Sequence, residues 1–195
     1  FDSSLPKISA ALACDVILGE REEEMARGQD MRLFPLLEEL LAEAGGTWRD
    51  LDFIAVGIGP GNFTGTRISV SAARGLALSL GIPAIGVSMF QALLDWDGPL
   101  AEPAEILSLE ASQDRACVQH FRYGKPQSSP RLIDPAAPPA DLELPANIVV
   151  RGYLAEEIAR PFHARWQVAA PQRVGAHIAR IAQIHAQDPD FDRTA

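Results

Sequence analysis

Only two cysteines, Cys14 and Cys117, occur in the 195 residues of the chain. Two cysteines build neither a disulfide framework nor a zinc site, so a reducing, cytoplasmic setting is expected. Basic residues are also scarce: 17 Lys+Arg stand against 26 Asp+Glu, a formal net charge of −9. Grip on nucleic acid rests largely on neutralising phosphates, which argues against a strongly basic nucleic-acid binder. No apolar run reaches the roughly 18 residues of a membrane span, and no signal peptide is expected before the first strand. The chain opens on Phe1 without a methionine, so the natural N-terminus is expected to lie upstream.

Several chemical signatures are missing as well. The histidines, His120, His163, His177 and His185, show neither His-Glu-x-x-His nor His-x-x-x-His spacing, which leaves a zinc or iron site unsupported. No Gly-x-Ser-x-Gly elbow is present, and neither cysteine has a base placed beside it. His177 and His185 are expected to be solvated, and Glu22, Glu23 and Glu24 read as a solvated charge run. No catalytic residue, metal site or cofactor site is assigned.

What is present suits a folded chain. Apolar residues make up 47% of it, enough for a core and too many for disorder. The acidic excess concentrates in residues 1–98, with 14 acids against 7 bases. Such a surface suits a partner with a basic face, or simply keeps the chain soluble.

Residues 8–13 and 16–20 read as short strands turning at Cys14-Asp15, preceded by the tail of another strand at Phe1-Asp2-Ser3-Ser4. A helix is expected over residues 31–44, where Leu33, Leu37, Leu40, Leu41 and Ala44 share one face. Gly45-Gly46 stops it, while Pro35 sits awkwardly inside it. The continuous apolar run 53–58 has the pattern of a strand buried on both faces. A glycine-rich loop follows, then a helix over 66–80, a strand over 84–87 and a short helix capped by Ser88. This strand–helix–strand alternation requires a parallel crossover and an α/β sheet. Residues 95–104 read as a linker. Beyond it come strands at 105–110 and 116–122 around a turn at Gln113-Asp114, and a proline-rich loop over 126–145. A strand at 147–151, a helix at 153–160, a strand at 166–169 and a helix at 173–187 complete the chain. Two lobes are expected, residues 1–98 and 99–195.

The loop from Gly57 to Arg67 carries the most information. It leaves a buried strand and enters a helix whose first turn has free N–H groups, with Thr64 or Thr66 as cap. Such a junction can hold an anion. Equally, its glycines can serve only to pack the loop against a neighbouring strand. It is not a Walker loop, because no Gly-Lys-Ser/Thr follows. The helix after it is lined with small residues, including Ser69, Ala73, Gly75 and Ala77. Gly75 costs roughly 1 kcal/mol relative to alanine, so close packing is expected to compensate, either inside the domain or against another chain.

Over residues 57–88 the sequence resembles the TsaB (YeaZ) family. The family pattern, Gly-x-Gly-Pro-Gly-Ser-Phe-Thr-Gly-x-Arg followed by Gly-Leu-Ala and Gly-Val-Ser, is met by Gly57, Gly59, Pro60, Gly61, Phe63, Thr64, Gly65, Arg67, Gly75, Leu76, Ala77, Gly86, Val87 and Ser88. Asn62 stands where serine is usual. Similarity extends over residues 1–12 and 29–41 and weakly onward to Val118. The resemblance implies a two-lobed α/β fold with mixed sheets, of the actin/Hsp70/hexokinase (ribonuclease H-like) type. It also implies a non-catalytic subunit that binds and activates a TsaD-like catalytic subunit, works with a TsaE-like ATPase, and forms a homodimer when alone. That complex makes threonylcarbamoyladenosine beside the anticodon of tRNA, which this chain is expected to meet only through the complex. Partner contact is expected at Leu33, Leu37, Leu40, Gly59, Gly61, Thr64, Arg67, Ser69, Ala73, Leu76 and Ala77.

The chain departs from the pattern in four places. The superfamily's Asp-x-Gly-Thr/Ser reads Asp2-Ser3-Ser4-Leu5-Pro6, without glycine, which argues against ATP binding. Ile-Asp-Ala-Arg becomes Leu109-Glu110-Ala111-Ser112. Gln29-Asp30 stands where many members have His-Ser or His-Thr. The closing Tyr-Leu-Arg strand is missing, so the C-terminus is expected to be clipped too. The alternative reading is an ATP-dependent phosphotransferase of the same superfamily, with the loop on phosphate and Asp2 as metal ligand or base. A metal-dependent protease is disfavoured by the missing ligands.

Overall fold

In the computed structural model, which describes residues 1–94, 104–111, 114–142 and 147–188, the chain opens as a meander. Strands β1 (Asp2–Leu5), β2 (Lys7–Ala13) and β3 (Ile17–Glu24) are followed by helix α1 (Gln29–Glu43). Next come β4 (Ile54–Gly57), α2 (Phe63–Leu80), β5 (Ala84–Val87) and α3 (Met89–Leu93). Strands β6 (Glu105–Glu110), β7 (Ala116–Arg122), β8 (Lys125–Pro126), β9 (Arg131–Ile133) and β10 (Val149–Gly152) precede α4 (Ala155–Ala159). Strand β11 (Arg165–Gln167) and helix α5 (Val174–Gln187) follow. Residues 95–103 of the expected linker, Gln113 of the expected turn and Ser112 lie outside the described residues.

The chain divides into two units: residues 1–89 with the described stretch from Arg173 onward, and the described residues of Phe90–Gln172. The expected boundary at 98/99 does not account for α5, which returns to the first unit. The reason is local. Gly175 lies so close to β2 that a Cβ there would stand 2.5 Å from the Ala10 carbonyl carbon, and eight α5 residues from Val174 to Ala182 are buried.

In the first unit β2 pairs antiparallel with β1 and β3, and β4 pairs parallel with β5. Phe1 joins the two ladders. Its amino nitrogen donates to the Ala55 carbonyl at 2.8 Å, and its carbonyl accepts from Gly57 N at 3.0 Å. That slanted exchange is the parallel pattern, so the strand order is β3-β2-β1-β4-β5. On one face Leu33, Leu36, Leu37 and Leu40 of α1 pack with Ile8, Ala10, Ile54, Val56 and Ala73. Full burial of each leucine contributes roughly 1.5–3 kcal/mol. Pro35 lies inside α1, on its exposed side.

On the other face α5 docks through its N-terminus. Glu22 Oε1 accepts from Ser9 Oγ at 2.7 Å and from Val174 N at 3.2 Å, and Arg173 pairs with Glu20 at 3.0 Å. A carboxylate there also complements the helix dipole. The acidic run is thus not simply solvated: Glu22 anchors α5, and Glu23 pairs with Arg32 of α1. The surrounding groups set its ionisation. Partial burial works to raise the Glu22 pKa, but hydrogen bonds from Lys7 and Ser9 outweigh it and hold the carboxyl below its usual range.

The second unit is a mixed sheet in the order β11-β10-β6-β7-β8, with β9 also on β7. Its parallel part, β6-β10-β11, is covered by α4, whose Ala155, Ile158 and Ala159 pack with Ile106, Val118 and Val150. Fully buried Glu105 lies 3.5 Å from Arg151 Nε. The stretch expected as a proline-rich loop contains β9 instead. Ile133 is buried there and Ala116 faces it across the ladder. Three residues are too few for an alternation to show in sequence.

Candidate functional site at the glycine-rich loop and the outer face of the helices

Three glycines bring the loop after β4 against β1. A Cβ on Gly61 would stand 2.6 Å from Ser4 Oγ, and Cβ atoms on Gly57 and Gly65 would overlap the Asp2 carboxylate and the Ser3 carbonyl. Ser3 Oγ donates to Gly65 O at 2.9 Å and shares a 2.7 Å hydrogen bond with Ser69 Oγ. Asn62 N donates to Ser4 O at 2.7 Å. Packing against a neighbouring strand therefore explains these glycines. Gly59 adopts φ 81°, a region open to glycine at little cost.

The cap of α2 is Asn62, not Thr64 or Thr66. Its Oδ1 accepts from Gly65 N at 3.0 Å, while Thr66 Oγ1 donates to Asn62 O at 3.0 Å. Asparagine and serine are both favoured caps, so the exchange at this position preserves the junction. Gln29, in the place of the family's histidine, donates to the Leu5 carbonyl at 2.9 Å and ties α1 to the end of β1.

Asp2 is buried beside this loop. Its Oδ2 accepts from Ser4 N at 2.7 Å and Ser4 Oγ at 2.9 Å. Its Oδ1 has no hydrogen-bond partner among the described residues. Burial raises the Asp2 pKa, against the opposing hydrogen bonds from Ser4.

The residues expected to meet a partner fall into two groups. Leu33, Leu37, Leu40, Ser69 and Ala73 are buried within the first unit, and Gly59 is buried in the loop. Gly61, Leu76 and Ala77 are half-buried, and Thr64 and Arg67 are exposed. Helical spacing identified an apolar face on α1, but that face covers the sheet. The exposed apolar residues of the two helices lie elsewhere: Met31 (81% exposed), Phe34, Phe63 (67%) and Leu78 (86%). Sequence reasoning passed over them, although apolar residues off the main stripe are the available signal. Arg67 lies over the Phe63 ring at 3.8 Å. Gly75 is also on the exposed side, and a Cβ there would meet nothing within 4 Å, so packing inside the domain does not compensate for it.

His177 is buried, contrary to expectation, because it falls on the sheet-facing side of α5. Eight residues along a helix turn about 80°, so His185 does not share its environment. Among the described residues no three His, Cys, Asp or Glu side chains gather as a metal cage. No helix among them is long and apolar enough to cross a membrane.

A five-stranded mixed sheet with helices on both faces, its β4–α2 junction closed by glycines, is the α/β arrangement of the actin/Hsp70/hexokinase (ribonuclease H-like) proteins. The family described as TsaD, tRNA N6-adenosine threonylcarbamoyltransferase, matches residues 22–132. The chain belongs to this family, and relatives it resembles are TsaB proteins. It is 37% identical over 87 residues to the tRNA threonylcarbamoyladenosine biosynthesis protein TsaB of Escherichia coli, covering 45% of this chain and 38% of that one. To the TsaB of Buchnera aphidicola subsp. Schizaphis graminum it is 34% identical over 92 residues, 47% and 44% of the two chains. The chain thus spans less than half the length of these relatives. In structure it is similar to YeaZ from Pseudomonas aeruginosa, with TM-score 0.72 and 23% identity over 95% of this chain and 91% of the other. A crystal structure of an uncharacterized protein with similarity to peptidase YEAZ from Pseudomonas aeruginosa gives TM-score 0.77 at 22% identity, over 98% and 92%.

Proposed function

We propose that the chain is a non-catalytic scaffold in the synthesis of threonylcarbamoyladenosine on tRNA, binding and activating a TsaD-like catalytic subunit. The observation that carries this reading is the exposed apolar face of α1 and α2. Met31, Phe34, Phe63 and Leu78 are large apolar side chains left in water by the fold of the first unit, and each is a point where a partner can bury apolar surface. The open space at Gly75 allows a partner's backbone to come close. The same face serves a homodimer when the chain is alone, and a TsaE-like ATPase joins the assembled pair. Contact with tRNA runs through the complex, in keeping with the net charge of −9.

Co-purification with a TsaD-like subunit tests this reading. A stable complex is expected from the unaltered chain, and its failure to form at micromolar concentration contradicts the proposal. Ala73→Arg does not serve as the interface probe, because Ala73 is buried and the charge would unfold the unit.

A second reading, an ATP-dependent phosphotransferase, draws on the buried Asp2 Oδ1 beside the glycine-rich loop. Calorimetry with ATP and magnesium separates the two. Micromolar binding abolished by Asp2→Ala supports the enzyme; no heat supports the scaffold.

A further inference from the structure

Between Asp114 and Asp134 the chain runs for 19 residues with four basic side chains, Arg115, Arg122, Lys125 and Arg131, and no carboxylate. A run of that sign stands out in a chain of net charge −9. Two of the four cations are engaged within the second unit. Arg115 Nε donates to the Ile133 carbonyl at 3.0 Å, and Arg131 pairs with Asp141 at 2.9 Å. Arg122 and Lys125 have no ion-pair partner among the described residues.

These two cations stand directly opposite each other where β7 turns into β8, and both are exposed. Like charges facing across an antiparallel pair destabilise it. A lysine on an edge strand discourages further strand pairing, and β8 is an edge of its sheet. That device needs one charge, not an arginine opposite it. The turn between them adds a second cost. Tyr123 and Gly124 both have positive φ, 48° and 73°, a two-residue hairpin geometry that favours asparagine, aspartate or glycine. A tyrosine at the first position strains the backbone. Its side chain is 64% exposed, so burial offsets little of that strain, and the Arg122 guanidinium lies 6.0 Å from its ring centre.

Two cations and an aromatic face held out together at one hairpin tip match one class of ligand. An acidic protein face brings carboxylates without a flat ring beside them. An unpaired nucleotide brings both an anion and a π-face. Its phosphate suits Arg122 and Lys125, and its base stacks on a tyrosine ring or a guanidinium plane.

We propose that the β7–β8 hairpin tip is a contact site for unpaired nucleotides of an RNA, with Arg122 and Lys125 on the phosphates and Tyr123 against a base. Two cations make a small grip. The site therefore adds to the hold of an assembly on RNA and does not replace it, in line with the acidic balance of the whole chain. Such a contact goes beyond scaffolding, and a chain that binds no TsaD-like subunit still carries it.

The full chain is titrated at low salt with an unmodified tRNA transcript and, separately, with poly-glutamate, followed by amide NMR shifts and fluorescence anisotropy. Shifts at residues 119–128 are expected with the tRNA and not with poly-glutamate. Arg122→Gln combined with Lys125→Gln is expected to weaken tRNA binding at least about fivefold and to flatten the log affinity against log salt slope by about 1.5, the share of two phosphate contacts. Tyr123→Asn, which suits the turn, is expected to bind about fivefold more weakly at unchanged slope. These side chains are exposed, and the unchanged remainder of the spectrum shows each variant to be folded. Equal shifts with poly-glutamate assign the surface to an acidic protein and overturn the RNA site. So do full affinity in the double variant, tRNA binding that leaves the hairpin unshifted, and no tRNA binding at all.

Discussion

Ser3 and Ser69 share a buried hydroxyl–hydroxyl hydrogen bond of 2.7 Å across 66 residues of sequence. It stitches β1 to α2 one turn beyond Gly65, where the Ser3 carbonyl occupies the space of a Cβ. Gly65→Ala must therefore push the helix off the strand, at a cost of about 3 kcal/mol. Ser69→Ala leaves the Ser3 hydroxyl with its bond to Gly65 O and costs about 1 kcal/mol. Urea unfolding of both variants measures this ordering, and a neutral Gly65→Ala contradicts the packing.

Asn62 provides a gentler test of the same junction. Asn62→Ser keeps an oxygen that can accept from Gly65 N and is expected to be near neutral. Asn62→Ala loses the cap and is expected to cost about 1 kcal/mol. Equal stability of the two variants would show that the cap contributes nothing.

Gly75 separates stability from association. Its Cβ position is open, so Gly75→Ala is expected to stabilise the isolated chain by up to about 1 kcal/mol through helix propensity. The added methyl group lies on the proposed contact face, so binding of the TsaD-like subunit is expected to weaken. A raised Tm with undiminished binding removes Gly75 from the interface.

Glu22 links acidity to the docking of α5. Its pKa is lowered on folding despite partial burial, so the unfolded chain takes up the proton first as pH falls. Its contribution is complete above the ordinary carboxylate value of 4.5 and is lost as pH drops through the lower folded value. The stability advantage of the unaltered chain over Glu22→Gln is expected to shrink as pH falls below 4.5. Chemical denaturation at a series of pH values reads it directly; a constant difference contradicts the link.

The sequence shows some of these elements and conceals others for definite reasons. The apolar run around Val56 and the leucine spacing of α1 reveal β4 and a helix, because burial on both faces or along one stripe leaves a periodic trace. That trace does not say what covers the stripe. Leu33, Leu37 and Leu40 meet the sheet, while the contact candidates Met31, Phe63 and Leu78 are scattered and carry no period. The glycine-rich motif marks the site without its geometry, since Gly65 packing on Ser3 joins residues 62 apart. The return of α5 to β2 depends on Gly175 and Glu22, which no local pattern relates.

The outer face of α1 and α2, not the leucine stripe of α1, is the proposed binding surface for the catalytic partner. Leu78 is 86% exposed, so Leu78→Glu is expected to leave stability within about 0.5 kcal/mol of the unaltered chain. The most direct test is the affinity of a TsaD-like subunit for Leu78→Glu and Met31→Glu, measured on chains shown to be folded by circular dichroism. At least about a tenfold loss is expected for each, or about 1.4 kcal/mol. Full affinity in both folded variants would contradict it.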